Sequence, residues 1–380
     1  MREYVLVFLV AATATYLLTV IAREIALRTG AVARVRDRDV HAEPIPYLGG
    51  LAMLGGLVAA YVVAHQLPFL STRGGPFVFH DARNVLIAGA LICAVGVLDD
   101  LFELDALTKL GGQVLAAGFL ILNGIQYMYF PQGHGGQFAL DPAQGALLTA
   151  FVVVATMNAV NMVDGLDGLA TGVVGIGALA FFAFCYQLTS LNNASRASTG
   201  ALISAMLAGA CAGFLPHNIN PARLFMGDSG SMLIGLVLSA SAITLTGQYS
   251  DADLAQGAMG STASLAPTFL PLALPITLLV VPIADLVLAV IRRTRAGRSP
   301  FAPDKQHLHH RLLEIGHSQR RAVLIMWMWA ALVAGSTVVI SLYTGPLMWT
   351  SIAVATVLTV TLTFVLPVIH RPGLARHESA

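Results

Sequence analysis

Eleven apolar stretches, each near the length of a membrane crossing, punctuate this chain: 4–22, 47–65, 84–98, 110–125, 146–162, 166–188, 200–215, 231–247, 270–291, 323–343 and 347–369. A bilayer core of about 30 Å takes roughly 20 apolar residues in a helix, and a lone strand cannot satisfy its backbone there. Only 11% of the residues are charged and 56% are hydrophobic, whereas soluble domains carry about 25% charge. The expected fold is therefore an all-α integral membrane protein, a polytopic bundle of about 11 transmembrane helices forming one domain over 1–380. The first run, Tyr4 to Ile21, lacks a small-residue cleavage site and ends at Arg23, so it reads as a retained span. Cys93, Cys185 and Cys211 lie scattered in apolar runs without disulfide or metal spacing and read as small buried hydrophobes. A net charge of +1 gives no reason to expect a nucleic-acid partner.

Lys and Arg fix the expected orientation. Loops after the odd-numbered spans, together with the C-terminus, hold 17 of the 21, among them Arg23, Lys109, Arg223, Arg292, Arg298, Lys305 and Arg371. The opposite side holds Arg2, Arg73, Arg83 and Arg196. The positive-inside rule then places the N-terminus outside and the C-terminus in the cytoplasm. The polar motifs follow the same parity, in loops 23–46, 99–109, 163–168, 216–230 and 292–322, while the outward loops 126–145 and 248–264 are Gly- and Gln-rich. Widely separated segments thus converge on one membrane face.

At the centre is Asn158-Ala-Val-Asn-Met-Val-Asp-Gly-Leu-Asp-Gly-Leu169, set inside an otherwise apolar sequence. Unpaired polar groups in hydrocarbon cost several kcal/mol, so the cluster belongs where membrane helices meet water. Asp164-Gly165 and Asp167-Gly168 permit a tight turn that gathers carboxylates and backbone N–H groups in a small space. A short hydrophilic loop between hairpinned helices is the simpler reading, and the flanking pair can also be one broken helix. The repeated Asn and Asp spacing favours a polar floor for a charged ligand.

Three further motifs join it. Asp99-Asp100 ends the third span, with Lys109 about two and a half turns on; a solvated helix end is the plain alternative to pairing with a phosphate. Phe225-Met-Gly-Asp-Ser-Gly230 precedes the eighth span. There Asp228 either caps a helix or holds a metal against a phosphate, and Phe225 either packs at the interface or stacks on a flat base. The segment from Arg292 through Arg298 to Asp304-Lys-Gln-His-Leu-His-His-Arg311 suits an amphipathic helix on the membrane surface or phosphate and sugar recognition. It lacks the cysteines or the H-E-x-x-H spacing of a zinc site. Asp285, inside the ninth span, needs a donor within the bundle.

Asp99, Asp100, Asp164, Asp167 and Asp228 gathered beside strong bases repel one another unless a cation intervenes. Oxygen ligands without thiolate point to Mg²⁺, with Mn²⁺ as a substitute, bridging carboxylates and substrate phosphates. Metal-assisted phosphoryl transfer at the membrane surface is the chemistry this pattern supports.

Together with Val40-His41-x-x-Pro-x-Pro-x-Leu-Gly-Gly50 and His307-Leu-His-His310, these motifs closely resemble the polyprenyl-phosphate N-acetylhexosamine-1-phosphate transferases, in particular their bacterial WecA/TagO-like branch. The resemblance runs from the first expected cytoplasmic loop to the last. It implies transfer of GlcNAc-1-phosphate from UDP-GlcNAc to a polyprenyl phosphate with release of UMP, at a bacterial inner membrane. It further implies that Asn161 and Asp228 hold Mg²⁺ and that Phe225, Asp164 and Asp167 contact the nucleotide. By the same analogy Asp99 and Asp100 are catalytic beside Lys109 at the lipid phosphate, and His307, His309, His310 and Arg298 bind the sugar diphosphate. The His-Leu-His-His form favours this branch over the related muramoyl-pentapeptide transferase. The family often has Lys and Arg where this chain has Asp39 and Tyr47, so neither receives a role. Direct displacement is the favoured route, a covalent aspartyl intermediate the alternative, and a homodimer is left open. A transporter would place its acids near midplane and often in repeats. A CDP-alcohol phosphotransferase would need an Arg that Asp167-Gly-Leu-Ala-Thr171 lacks.

Overall fold

The computed structural model describes residues 1–32, 45–73, 75–131, 137–192, 197–246, 294–295, 297, 318–342 and 345–364. The helices formed by these residues are α1 (Arg2–Thr29), α2 (Gly49–Gln66), α3 (Pro68–Arg73), α4 (Gly75–Phe102), α5 (Ala106–Leu122), α6 (Pro142–Val163), α7 (Leu169–Asn192), α8 (Ala197–Asn218), α9 (Gly227–Thr246), α10 (Gln319–Leu342) and α11 (Pro346–Phe364). Nine of them are long and apolar enough to cross a membrane. The protein is an all-α polytopic membrane protein. Each expected span except 270–291 meets one of these helices. That stretch lies outside the described residues, as do Asp285, His41, Arg298, His307, His309 and His310.

Lengths depart from expectation where polar residues continue a helix. The third span, expected over 84–98, belongs to α4, which begins at Gly75 and runs to Phe102. Its first turns carry His80 and Asn84, whose side chains meet at 3.3 Å across one turn of the helix. Hydropathy falls at such residues, but the helix does not. The fourth is only 17 residues, about 25 Å of helix, because Asn123 and Gly124 end α5. The loop expected over 126–145 contains a β-hairpin, Tyr129–Pro131 paired antiparallel with Gln137–Ala139. Asp141 then caps α6, accepting from Ala143 N, while Gln144 closes the box and Pro142 opens the first turn.

α8 and α9 form the centre of the bundle. α8 packs on α1, α2, α7 and α9, and α9 also packs on α4 and α6. Their sequences are rich in Ala, Gly and Ser, and those small residues let neighbouring backbones approach closely without lipid between them. α10 and α11 stand at the edge, and the exposed Leu347, Trp349, Val354 and Val357 of α11 face outward, as lipid contact requires. The start of α9 is therefore held in the middle of the molecule, surrounded by the ends of α4, α5 and α6.

Candidate active site at the meeting of helix ends

Neighbouring helical positions project about 100° apart, so the adjacent aspartates at the end of α4 take separate partners. Asp99 is 8% exposed. Its Oδ2 lies 2.6 Å from Lys109 Nζ, and its Oδ1 accepts from Leu104 N at 2.7 Å, fastening the α4–α5 link. Lys109, in the first turn of α5, also reaches Asp228 Oδ2 at 2.8 Å. Asn161, in the last turn of α6, donates from Nδ2 to Asp228 Oδ1 at 2.8 Å and to Ser231 Oγ at 2.9 Å. Four helices thus converge on one carboxylate.

Asp100 does something different. Its carboxylate accepts from Asp228 N at 2.8 Å, Ser229 Oγ at 2.8 Å and Ser229 N at 3.3 Å. It caps α9 from a neighbouring helix, taking the role that was the plain alternative for Asp228; Asp228 sits inside the first turn instead. Capping by a distant carboxylate leaves the Asp228 side chain free to face the cluster. Gly227, at φ 68, makes the turn into α9; an added Cβ there would run into the Asp100 carboxylate, and the left-handed backbone itself favours glycine.

The first loop supplies another wall. Phe225 N donates to Pro46 O at 2.9 Å, Gly49 N to Phe225 O at 3.1 Å and Gly50 N to Met226 O at 3.1 Å. This pairing holds Phe225 half-buried beside Tyr47, their ring centroids 6.0 Å apart. Gly50 and Gly96 bring α2 and α4 onto the α9 start: a methyl on Gly50 would lie 2.7 Å from Ser229 Oγ, and one on Gly96 2.6 Å from the Asp228 carbonyl carbon.

The 164–168 turn joins α6 to α7, two separate helices rather than one broken one. Asp164 closes α6. Burial pushes its carboxyl well above the usual carboxylate range, and Asp228, Asp167 and Asp100 add to the rise. Asp167 is 3% exposed and points the other way. Its Oδ2 accepts from Ala222 N and Asn220 Nδ2, each at 3.0 Å. Buried Asn218 accepts from Gly168 N at 3.1 Å and Thr171 Oγ1 at 2.8 Å, and donates to Leu224 O at 3.2 Å. Asn220 also donates to Gln319 Oε1 at 2.9 Å, and Arg320 Nε donates to Asn220 O at 3.0 Å. Leu166 and Leu169 pack with Ala322, Val323 and Met326 at the same junction. The chain that emerges from the expected basic and His-rich segment is thereby fixed next to the turn.

One protein similar to this chain is a decaprenyl-phosphate N-acetylglucosaminephosphotransferase of Mycobacterium tuberculosis (strain ATCC 25618 / H37Rv), 47% identical over 338 residues, or 88% of this chain and 81% of that protein. The sequence pattern of glycosyl transferase family 4 matches residues 82–246. The chain belongs to this family. Two more distant relatives are a probable undecaprenyl-phosphate N-acetylglucosaminyl 1-phosphate transferase of Bacillus subtilis (strain 168), 28% identical over 86% of this chain and 82% of that protein, and an undecaprenyl-phosphate alpha-N-acetylglucosaminyl 1-phosphate transferase of Yersinia pestis, 28% identical over 83% and 78%. The family match spans α4 through α9 and so includes Asp99, Asp100, Lys109, Asn161, Asp164, Asp167, Phe225 and Asp228.

Seen as a family 4 transferase, the site offers a hard-cation donor set that is incomplete by itself. Among the described residues no group of three or more His, Cys, Asp or Glu side chains is arranged to hold a metal. Lys109 Nζ occupies the space between the Asp99 and Asp228 carboxylates, a position that favours positive charge. An Mg²⁺ ion held by Asp228 and the Asn161 amide would need phosphate oxygens and water for its remaining ligands, its ordinary habit. For that, the Asn161 amide would have to turn over, since its nitrogen faces Asp228 in this arrangement. The residues fit a metal that arrives with a diphosphate.

Sequence reasoning counted Arg320 among the basic residues of the loop face but gave no individual site role to Asn218, Asn220, Gln319 or Arg320. The available signal was the polar His217-Asn-Ile-Asn-Pro221 directly after an apolar run, the same kind of interruption that marks Asn158–Leu169.

Proposed function

We propose that this chain transfers GlcNAc-1-phosphate from UDP-GlcNAc to a polyprenyl phosphate, releasing UMP, at the cytoplasmic face of a bacterial inner membrane. The observation that carries this reading is the convergence of Asp99, Lys109, Asn161 and Asp228 from separate helices on one point at the helix ends. The names of the relatives supply the GlcNAc-phosphate and polyprenyl-phosphate substrates. The UDP-linked donor, the cytoplasmic orientation of the site and the C-terminus, and the Mg²⁺ requirement are part of the proposal; the Lys and Arg asymmetry supports the orientation.

A phosphomonoester has its second pKa near 6, so the acceptor is already largely a dianion at neutral pH and proton removal is a small part of the problem. The larger part is aligning two polyanions. Lys109 neutralises the acceptor phosphate, and Asp99 keeps that ammonium aimed by accepting its proton bond. Asp228 and Asn161 would hold Mg²⁺ beside the donor diphosphate, and the ion would supply the positive charge that offsets the repulsion between phosphate oxygens and carboxylates. An acceptor oxygen attacks the phosphorus that bears the sugar. The bond from that phosphorus to the bridging oxygen breaks, and UMP leaves with the electron pair. Phe225, braced by Pro46 and Gly49 at the rim, is the surface for uracil. His307, His309, His310 and Arg298 complete the donor side, as the family resemblance implies.

The test is purified protein with UDP-GlcNAc, a polyprenyl phosphate and Mg²⁺. UMP and a lipid-linked sugar are expected in equal amounts, lost on chelation and restored by Mg²⁺ or Mn²⁺. Phe225→Ala should raise the donor KM about tenfold, the loss of one stacked base. Undiminished turnover under chelation would remove the metal from the account, and an unchanged donor KM would remove the stacking.

A further inference from the structure

The exposed face of α6 is an apolar stripe with one break. Leu147, Phe151 and Met162 are exposed at 75%, 67% and 53%, the ordinary state of a lipid-facing helix surface. Asn158 lies on the same face, between Phe151 and Met162, and is also exposed. It stands five residues before the end of α6, roughly 7 Å along the axis from that end. A polar side chain turned toward hydrocarbon is costly and calls for a reason.

Its partner gives one. Asn158 Nδ2 donates to Gln113 Oε1 at 2.8 Å and to Val154 O at 2.8 Å, so both its hydrogens are well used. Gln113, on α5, is 3% exposed, yet its own amide N–H groups are poorly served. One reaches Asn158 Oδ1 at 3.4 Å, longer than a good N–H···O bond, and the other meets the Met232 thioether at 3.4 Å, a weak acceptor. A buried donor held this loosely exchanges readily for a stronger acceptor. The register tells which one. Gln113 follows Lys109 by one turn, Asn158 precedes Asn161 by three residues, and Met232 follows Asp228 by one turn. The amide pair is thus the layer directly beneath the charged cluster, open to the lipid on its Asn158 side.

We propose that the Gln113–Asn158 pair receives the phosphate headgroup of the acceptor lipid as it enters between α5 and α6 from the membrane, with the Gln113 amide donating to a phosphate oxygen before Lys109 takes the charge. This rests on the transfer reaction proposed above. A neutral donor suits such a step: it repays part of the desolvation of a phosphate without the attraction of a second lysine, so the headgroup moves on. The ligand is a membrane phosphomonoester. The diphosphate of the donor is the other source of phosphate oxygens, and the measurements separate the two.

The experiment uses the full chain in nanodiscs, decaprenyl phosphate as the acceptor probe and UDP-GlcNAc as the donor probe, with a Kd measured for each. The double variant Gln113→Met, Asn158→Leu removes both amides at similar volume, so neither is left buried without its partner. Gln113→Glu keeps the bond from Asn158 and turns the surface against an anion, providing a second readout if the double variant folds poorly. The decaprenyl phosphate Kd should rise about tenfold in the first and more in the second, with the UDP-GlcNAc Kd within twofold of wild type. An unchanged decaprenyl phosphate Kd in a folded variant overturns the proposal, as does equal weakening of both ligands. Wild-type protein that binds decaprenyl phosphate no better than decaprenol overturns the transfer reading itself.

Discussion

Asp228→Asn should leave a folded protein that transfers on the order of 10³-fold more slowly than wild type, the scale on which pre-positioned charge at a reacting centre matters. In the present arrangement both Asp228 oxygens are used: one faces Lys109 Nζ at 2.8 Å and the other Asn161 Nδ2 at 2.8 Å. An amide in this place sets its NH₂ against one of two donors, so the ammonium or the Asn161 side chain must turn away. The cost to folding is about 1–3 kcal/mol at a part-exposed position, small beside the loss of a carboxylate that meets both α5 and α6. Higher Mg²⁺ or added Mn²⁺ should recover part of the rate. The check is kcat for UMP release across a metal titration, with melting temperature followed in parallel. A wild-type rate with wild-type metal dependence would show that Asp228 holds neither metal nor Lys109 in the reacting state.

Gly96→Ala should also cost much of the activity, by a different route. Gly96 faces the first turn of α9, and a methyl there would overlap the Ser229 backbone and lie 2.6 Å from the Asp228 carbonyl carbon. The obstacle is backbone in both directions, with no flexible side chain to move aside. Overpacking of this sort costs about 1–3 kcal/mol, and relief requires α4 and α9 to separate. That separation also pulls Asp100 off the Asp228 and Ser229 N–H groups, where it now caps the helix. A displacement near 1 Å at the reacting groups costs about 100-fold in rate. Activity should fall about 100-fold, while Gly111→Ala on α5, where a methyl meets nothing within 4 Å, stays near wild type in both rate and melting temperature. A Gly96→Ala protein with normal kcat and stability would mean that the helices are not held this closely.

Long apolar runs made the spans legible, because hydropathy integrates over a whole crossing and tolerates local errors. The boundaries were less so: α4 runs through His80, Asp81 and Arg83, since a helix persists as long as its backbone bonds do, whatever the side chains prefer. The charged and amide residues of the candidate site were legible too, since Asp99, Lys109, Asn161 and Asp228 interrupt apolar sequence and charge at membrane depth is costly. Their division of labour was not. Asp99 and Asp100 look alike in sequence, and only helical geometry sends one to Lys109 and the other to the α9 backbone. Asp167 reads as one of the carboxylate cluster, yet it is committed to Ala222 N and Asn220. Asn218 and Gln113 were missed because an amide hydrogen-bonded across helices carries no spacing rule; its partner is dozens of residues away.

The central claim is that sugar and phosphate move together to the lipid. It is tested most directly with UDP-GlcNAc carrying radioactive phosphorus in the sugar-linked phosphate, incubated with the purified chain, a polyprenyl phosphate and Mg²⁺. The account predicts that the label passes to the lipid fraction one for one with UMP released, and that Asp228→Asn suppresses both. Label left in water-soluble UDP while the sugar reaches the lipid would contradict it, because the bond broken would then lie between the sugar and its phosphate.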